Sequence, residues 1–140
     1  MILLDTNVLA ALVDERDSLH ERAHRDLHKL KGPFALTSAV LVETCILIRL
    51  PHLRQRLWAA LERLQMQHIE VMPSQWSDIF LWLEGYASHL PDLCDAILLA
   101  LSERQSLPIW TYDREFRTIW RTPTGKSPKV VPPRSRARTP

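Results

Sequence analysis

The chain has 140 residues, the length of one domain with room for a hydrophobic core. Hydrophobic residues make up 46% of it and charged residues 24%, which excludes an intrinsically disordered or fibrous protein. No basic segment precedes an apolar one at the N-terminus, and the longest uncharged stretch, residues 32–42, is too short to cross a bilayer. Only two cysteines are present, without metal-ligand spacing, so we expect reduced thiols and a cytoplasmic location.

The formal net charge of +2 is unevenly distributed along the chain. Residues 122–140 contain five basic residues, no acidic residue and five of the ten prolines, which leaves a charge of −3 for residues 1–121. A proline-rich segment with charges of one sign is typical of solvated chain. We therefore predict a folded acidic body, residues 1–121, followed by a mostly unpacked basic tail, residues 122–140. A contact with nucleic acid is the alternative role for this tail.

Short apolar segments of strand length alternate with segments of helical period. Strands are predicted at residues 2–4, 34–37, 69–72 and 109–111, with a short edge strand at 129–131. Helices are predicted at residues 6–14, 18–31, 38–49, 54–67, 74–89 and 92–106, and a short one after Asp113. Such alternation is typical of a parallel sheet covered on both faces. We predict an α/β fold, a three-layer α/β/α sandwich with a central parallel sheet.

Several acidic residues follow the predicted strands or lie on the helices beside them. Asp5 follows the first strand, and Asp113 follows the strand at 109–111. Glu43 lies on the helix after the second strand, and Asp92 and Asp95 begin the helix at 92–106. In open parallel sheets, ligands bind beyond the carboxyl ends of the strands. These carboxylates are therefore candidates for one common site.

The aspartates also have a structural explanation. Three of them can cap helix N-termini, and Asp95, in a first helical turn, suits the helix dipole. The three candidate caps are Asp5, Asp92 and Asp113. Glu43 does not fit this explanation, because it is the only charged residue in the stretch 32–48, on a helix that is apolar on nearly every side. A buried, unpaired carboxylate is costly unless it binds a cation, and the sequence offers no basic partner nearby.

Three or four carboxylates at one edge of a sheet repel each other unless a divalent cation binds between them. Carboxylate oxygens without His or Cys favour Mg²⁺ or Mn²⁺ over Zn²⁺. Such an ion typically activates water and stabilises the charge that develops on a phosphate, which is the chemistry of phosphodiester hydrolysis. We therefore predict that three or four of the candidates Asp5, Glu43, Asp92, Asp95 and Asp113 are catalytic and metal-binding residues.

Four motifs occur in a characteristic order along the chain. They are Asp5-Thr6-Asn7, Glu43, Asp92-x-x-Asp95-Ala96 and Thr111-Tyr112-Asp113-Arg114-x-Phe116. Together they resemble the PIN-domain ribonucleases, and among these the single-domain VapC-like toxins of type II toxin–antitoxin pairs. The resemblance covers residues 1–121. It implies a PIN-like fold, Mg²⁺- or Mn²⁺-dependent cleavage of RNA, a homodimer, and inhibition by an antitoxin protein.

The resemblance also implies roles for individual residues. Asp5, Glu43 and Asp95 match the three core acidic ligands of the family, and Asp113 matches its fourth, more variable acid. Asn7, Thr111 and Asp92 are predicted to support them.

Asn7 matches the polar residue that orients the first aspartate in the family, and Thr111 matches the hydroxyl next to the fourth acid. Asp92 has no fixed place in the family pattern. We interpret it as a helix cap, with support of a neighbouring ligand as the alternative. No residue is assigned to an organic cofactor.

Three other classes of protein are alternatives to this interpretation. A haloacid-dehalogenase-type phosphatase needs a second aspartate two residues after the first, where this chain has Asn7. A receiver-like signalling module needs acids at two successive strand ends and a lysine after a late strand, and neither is found. The third alternative stays open. It is a catalytically silent PIN-like module that acts through a protein or RNA partner, although the presence of all four acids argues against it.

Overall fold

Five short strands form one sheet in the computed structural model, which describes residues 1–134. The strands are β1 (Ile2–Leu4), β2 (Phe34–Leu36), β3 (Gln67–His68), β4 (Ile109–Trp110) and β5 (Val130–Val131). Their order in the sheet is β3-β2-β1-β4-β5, and every neighbouring pair is parallel. The chain builds outward from β1 to β3 and then continues on the other side of β1. The topological switch point therefore lies between β1 and β4.

Seven α-helices cover the sheet. They are α1 (Thr6–Val13), α2 (His20–Lys29), α3 (Ser38–Leu47), α4 (Pro51–Arg63), α5 (Trp76–Gly85), α6 (Leu93–Gln105) and α7 (Glu115–Thr118). The three residues of β1 are all buried, which is expected of a central strand with helices on both faces. The predicted α/β/α sandwich with a parallel sheet is confirmed. Within the described residues, no helix has the length and apolar character needed to span a membrane.

The third strand differs from the prediction. It occupies Gln67–His68 instead of residues 69–72, and α4 before it ends at Arg63 instead of residue 67. The chain leaves the helix through Gln65, whose φ of 49° lies in the left-handed region. Both residues of β3 are exposed at the edge of the sheet, so the strand carries no apolar pattern in the sequence.

The start of α4 also differs from the prediction. We expected Pro51 to end one helix and the next helix to begin at residue 54, but Pro51 is itself the first residue of α4. Proline suits this position, because the first amide of a helix has no partner within the helix and the fixed φ of proline is already helical.

The segment after residue 121 is packed onto the body, so the prediction of a mostly unpacked tail is wrong for its first part. Thr122 is buried and donates its hydroxyl hydrogen bond to Glu103 over 2.7 Å. Val130–Val131 then form β5, where an edge strand was predicted at 129–131, and the Ile109 amide donates to the Lys129 carbonyl over 2.8 Å. The rest of the predicted tail, residues 135–140, lies outside the described residues.

The central strand should dominate the stability of the fold. Leu3 has no exposed surface and is paired on both sides, with Ala35 and with Ile109. Leu3→Ala should lower the free energy of unfolding by about 2–5 kcal/mol, because it removes buried methyl groups and leaves a cavity. Urea denaturation measures this change. The matched control is Leu90→Ala, since Leu90 is 89% exposed. Equal losses in the two variants would contradict the buried position of Leu3.

Candidate active site

Asp5 is fixed at the carboxyl end of β1. Its amide donates to the Trp110 carbonyl over 3.0 Å, and its side chain caps α1 by accepting from the Thr6 amide over 2.7 Å. The other carboxylate oxygen, Oδ2, accepts from the Thr111 hydroxyl over 2.7 Å and from the Asn7 amide group over 3.3 Å. Asp5 is thus both a helix cap and part of a wider network. Its carboxylate is only 5% exposed, and its orientation is set by three donors.

Asn7 and Thr111 link α1 to the loop that follows β4. The Asn7 amide group donates to the Thr111 hydroxyl over 3.2 Å, and its carbonyl accepts from the Tyr112 amide over 3.2 Å. The Thr111 hydroxyl also accepts from the Asp113 amide over 3.0 Å. Two of the three predicted supporting residues, Asn7 and Thr111, therefore contact Asp5. The Thr6 amide has no signal in the sequence, since any residue other than proline would supply it.

Asp92 and Asp95 lie at the start of α6. Asp92 caps this helix by accepting from the Asp95 amide over 2.8 Å, which confirms the helix-cap interpretation. Asp95 is 9% exposed. Burial raises the pKa of Asp95 to about 8, and the charges of Asp92, Asp5, Asp113 and Glu43 add to this effect. The Asp95 carboxylate therefore lies close to the other predicted acids.

Glu43 and Asp113 are half-buried and complete the group. Glu43 projects from α3, which packs against both α1 and α6. Asp113 follows β4, and its carboxylate accepts from the Glu115 amide over 2.9 Å. The pKa of Asp5 is raised to about 6, chiefly by burial and also by repulsion from Glu43 and Asp113, against the lowering effect of its hydrogen bonds to Thr111 and Thr6. The charges of Glu43 and Asp113 thus raise the pKa of both Asp5 and Asp95.

The acids have no basic partners in the part of the chain that the structure describes. None of the salt bridges among residues 1–134 includes any of them. In the same residues, no three His, Cys, Asp or Glu side chains are arranged so that they could hold a metal ion together. The acids therefore do not form a ready-made coordination shell in the described residues. The donor set, carboxylate oxygens without sulfur or imidazole, fits a hard cation such as Mg²⁺ or Mn²⁺.

The fold and these residues define an α/β protein with an acidic site at the topological switch point of its sheet. Its family follows from a comparison of the sequence with family models. The model of the PIN domain matches residues 2–120, so the chain belongs to the PIN-domain family. The resemblance to this family that the four motifs indicated is confirmed. A comparison with curated proteins found no match.

Several solved structures share the fold of this chain. The VapC20 toxin of Mycobacterium tuberculosis, described as cleaving the sarcin–ricin loop, is 23% identical, with a TM-score of 0.72 over 84% of this chain and 93% of its own. A toxin–antitoxin complex from Klebsiella pneumoniae contains a chain that is 24% identical, with a TM-score of 0.62 over 88% of this chain and 98% of its own. FitAcB from Neisseria gonorrhoeae is 21% identical, with a TM-score of 0.54 over 81% and 88%.

The raised pKa of Asp95 makes stability depend on pH. The folded protein binds this proton more tightly than the unfolded chain does, because the pKa of Asp95 is about 8 when folded against an ordinary value of 3.8. Stability should therefore fall as the pH rises from about 4 to about 8. In EDTA at about pH 8, Asp95→Asn should raise the free energy of unfolding by roughly 2 kcal/mol or more, since the amide carries no charge.

Urea denaturation at a series of pH values measures this difference, which should shrink toward zero below about pH 4. Asp78→Asn, on the exposed surface of α5, is the matched control and should show no such dependence. A stabilisation by Asp95→Asn that stays constant across the pH range would contradict the assigned cause.

Proposed function

We propose that this protein is a metal-dependent endoribonuclease that hydrolyses RNA phosphodiester bonds, with Mg²⁺ or Mn²⁺ held by Asp5, Glu43, Asp95 and Asp113. The observation that supports the proposal is that Glu43 and Asp113 raise the pKa of both Asp5 and Asp95, while no salt bridge within residues 1–134 includes any of the four. This group lies at the switch point of a PIN-domain sheet, where α/β proteins bind ligands.

The bound cation would lower the pKa of water and neutralise the negative charge that develops on the scissile phosphate. The residues of this chain prepare the site for it. Burial and mutual repulsion disfavour the ionised forms of Asp5 and Asp95 when no cation is bound. A positive charge between these groups is therefore favoured. Thr6 and Thr111 hold the Asp5 carboxylate in one orientation, and Asn7 fixes the loop that carries Asp113.

Replacement of Asp5 by asparagine tests this function. Asn also caps helices, so Asp5→Asn should keep the fold, but it removes a ligand charge. Cleavage of labelled RNA in Mn²⁺ should fall by at least about 100-fold, because several kcal/mol of charge stabilisation depend on the cation. EDTA should abolish cleavage by the wild type, and excess Mn²⁺ should restore it.

Asp78→Asn is the control for this assay and should cleave like the wild type. Equal cleavage by Asp5→Asn and wild type would leave Asp5 as a helix cap only. If the wild type binds RNA but does not cleave it in Mn²⁺, the protein is instead the catalytically silent PIN-like module.

We further propose that the protein is the toxin of a toxin–antitoxin pair and acts in the cytoplasm, with a cognate antitoxin as its protein partner. A groove of about 590 Å³ between α2 and α4 supports this partner. Its lining includes Leu12, Leu27 and Leu64 together with Arg56 and Arg63, and Arg56 pairs with Glu15, which also lines the groove, over 2.7 Å. Apolar residues beside Arg63, which forms no salt bridge within residues 1–134, fit an amphipathic segment with acidic residues.

A homodimer is the second partner that we propose, and the outer face of α3 supports it. Val42, Ile46 and Leu47 lie on this face and are each more than half exposed. Exposed apolar patches of this kind mark protein interfaces.

Ile46→Lys should convert a dimer into a monomer, because the interface would have to bury an unpaired charge. Sedimentation velocity measures the change. Leu81→Lys, at a similarly exposed leucine on α5, is the matched control and should stay dimeric. Dissociation by Leu81→Lys with no effect of Ile46→Lys would place the interface on α5 instead.

A further inference from the structure

A second pocket lies beside the acidic site and has the opposite charge. It has a volume of about 510 Å³ and lies between α2, α7 and the residues that follow β5. Thr111 lines this pocket, and its hydroxyl also donates to the carboxylate of Asp5. One residue therefore belongs to both sites, which makes them direct neighbours at the carboxyl end of β4.

Four arginines line the pocket, and no acidic residue does. They are Arg22, Arg114, Arg117 and Arg134. Arg22 has one acidic neighbour, Asp26, at 3.8 Å, and none of the other three forms a salt bridge within residues 1–134. Burial lowers the pKa of Arg117, and the charges of Arg134 and Arg22 lower it further, so these guanidinium groups lie close together. Such a concentration of positive charge attracts an anion.

Contacts within the protein hold two of these guanidinium groups in place. Arg22 stacks over the ring of Tyr112 at 4.7 Å, and the Tyr112 hydroxyl donates to Asp26 over 2.7 Å. Arg117 donates to the Pro132 carbonyl, in the segment that β5 brings against α7. The pocket is therefore preorganised, and its charge is mostly left uncompensated.

The chemistry of the pocket favours phosphate groups as ligands. The planar guanidinium fork of arginine matches phosphate oxygens and donates two hydrogen bonds to one group. A single strand of RNA carries such groups at regular intervals, so a strand whose scissile phosphate lies at the four acids would place its next phosphates nearby. The net charge of residues 1–121 is −3, so the pocket supplies positive charge that the body as a whole lacks.

We propose that this arginine pocket binds the backbone phosphates of single-stranded RNA next to the scissile position. The inference rests on the proposed nuclease function, which is what brings RNA to the neighbouring acids. It gives the segment after β5 a role in substrate binding, because that segment supplies Arg134 and holds Arg117.

Removal of two exposed arginines tests the pocket. Arg114→Gln/Arg134→Gln is compared with its parent in an Asp5→Asn background, so that RNA stays intact in Mn²⁺. Fluorescence anisotropy with a labelled single-stranded RNA oligonucleotide measures binding at several salt concentrations. The double variant should bind RNA about tenfold more weakly than its parent at low salt. Its slope of log affinity against log salt should also be shallower by about 1.4, the value for two lost phosphate contacts.

Arg25→Gln/Arg104→Gln, which removes the same charge at exposed positions on α2 and α6, is the matched control and should retain the parent slope. An equal loss of RNA affinity in the control pair would show that the effect depends only on the net charge of the protein, and it would overturn the inference. Unchanged RNA binding by the pocket variant would also overturn the inference. If the same variant then loses binding to a labelled glutamate-rich peptide, the ligand of the pocket is an acidic protein segment instead. If the pocket variant melts at a lower temperature than its parent, Arg134→Gln is measured alone. Its slope of log affinity against log salt should change by half as much as that of the double variant.

The outcomes of this experiment are separable from those of the nuclease proposal. Cleavage by the wild type combined with an unaffected pocket variant would overturn the pocket alone. Weaker binding by the pocket variant without cleavage by the wild type would overturn the nuclease proposal and leave the pocket as an RNA-binding site with no scissile position beside it.

Discussion

Repulsion between carboxylates at the carboxyl ends of β1 and β4 is the constraint around which the rest of the structure is arranged. Burial and neighbouring charges raise the pKa of both Asp5 and Asp95, so the fold bears an electrostatic cost. The cost is tolerated because rigid elements hold the groups, with hydrogen bonds from Thr6 and Thr111 on Asp5. Functional sites commonly oppose stability in this way, and the fully buried central strand supplies the compensation.

The sheet topology explains why four distant parts of the sequence meet. All strands are parallel, but the connection after β1 leads toward β2 on one side and the connection after β4 leads toward β5 on the other, so the loops after β1 and β4 diverge and leave a crevice. Asp5 and Asp113 lie after β1 and β4, Glu43 lies on α3, and Asp95 lies in the first turn of α6. On the far side of Thr111, the same β4 loop turns toward arginines. Two sites of opposite sign therefore share one loop.

The central fold and the acidic group could be predicted from the sequence, because each has a local signal. Ile2–Leu4 form an apolar run that ends at Asp5, and Glu43 is a lone charge on an apolar helix. The misses have physical reasons. β3 is exposed at the sheet edge and lacks an apolar pattern, and the single proline at 51 suits the end of one helix as well as the start of another. The arginine pocket depends on β5 pairing with β4, a long-range contact that composition does not report.

The pairing of β5 with β4 also determines where the chain can be truncated without aggregation. The Ile109 amide is satisfied by Lys129, so β5 covers a strand that is otherwise apolar and fully buried. A chain shortened before residue 129 would present β4 as an open edge, and an uncovered edge of this kind recruits strands from other molecules. Truncation to the compact body would then produce aggregates, whatever the state of the acids. β5 therefore protects the protein against aggregation through the edge of β4.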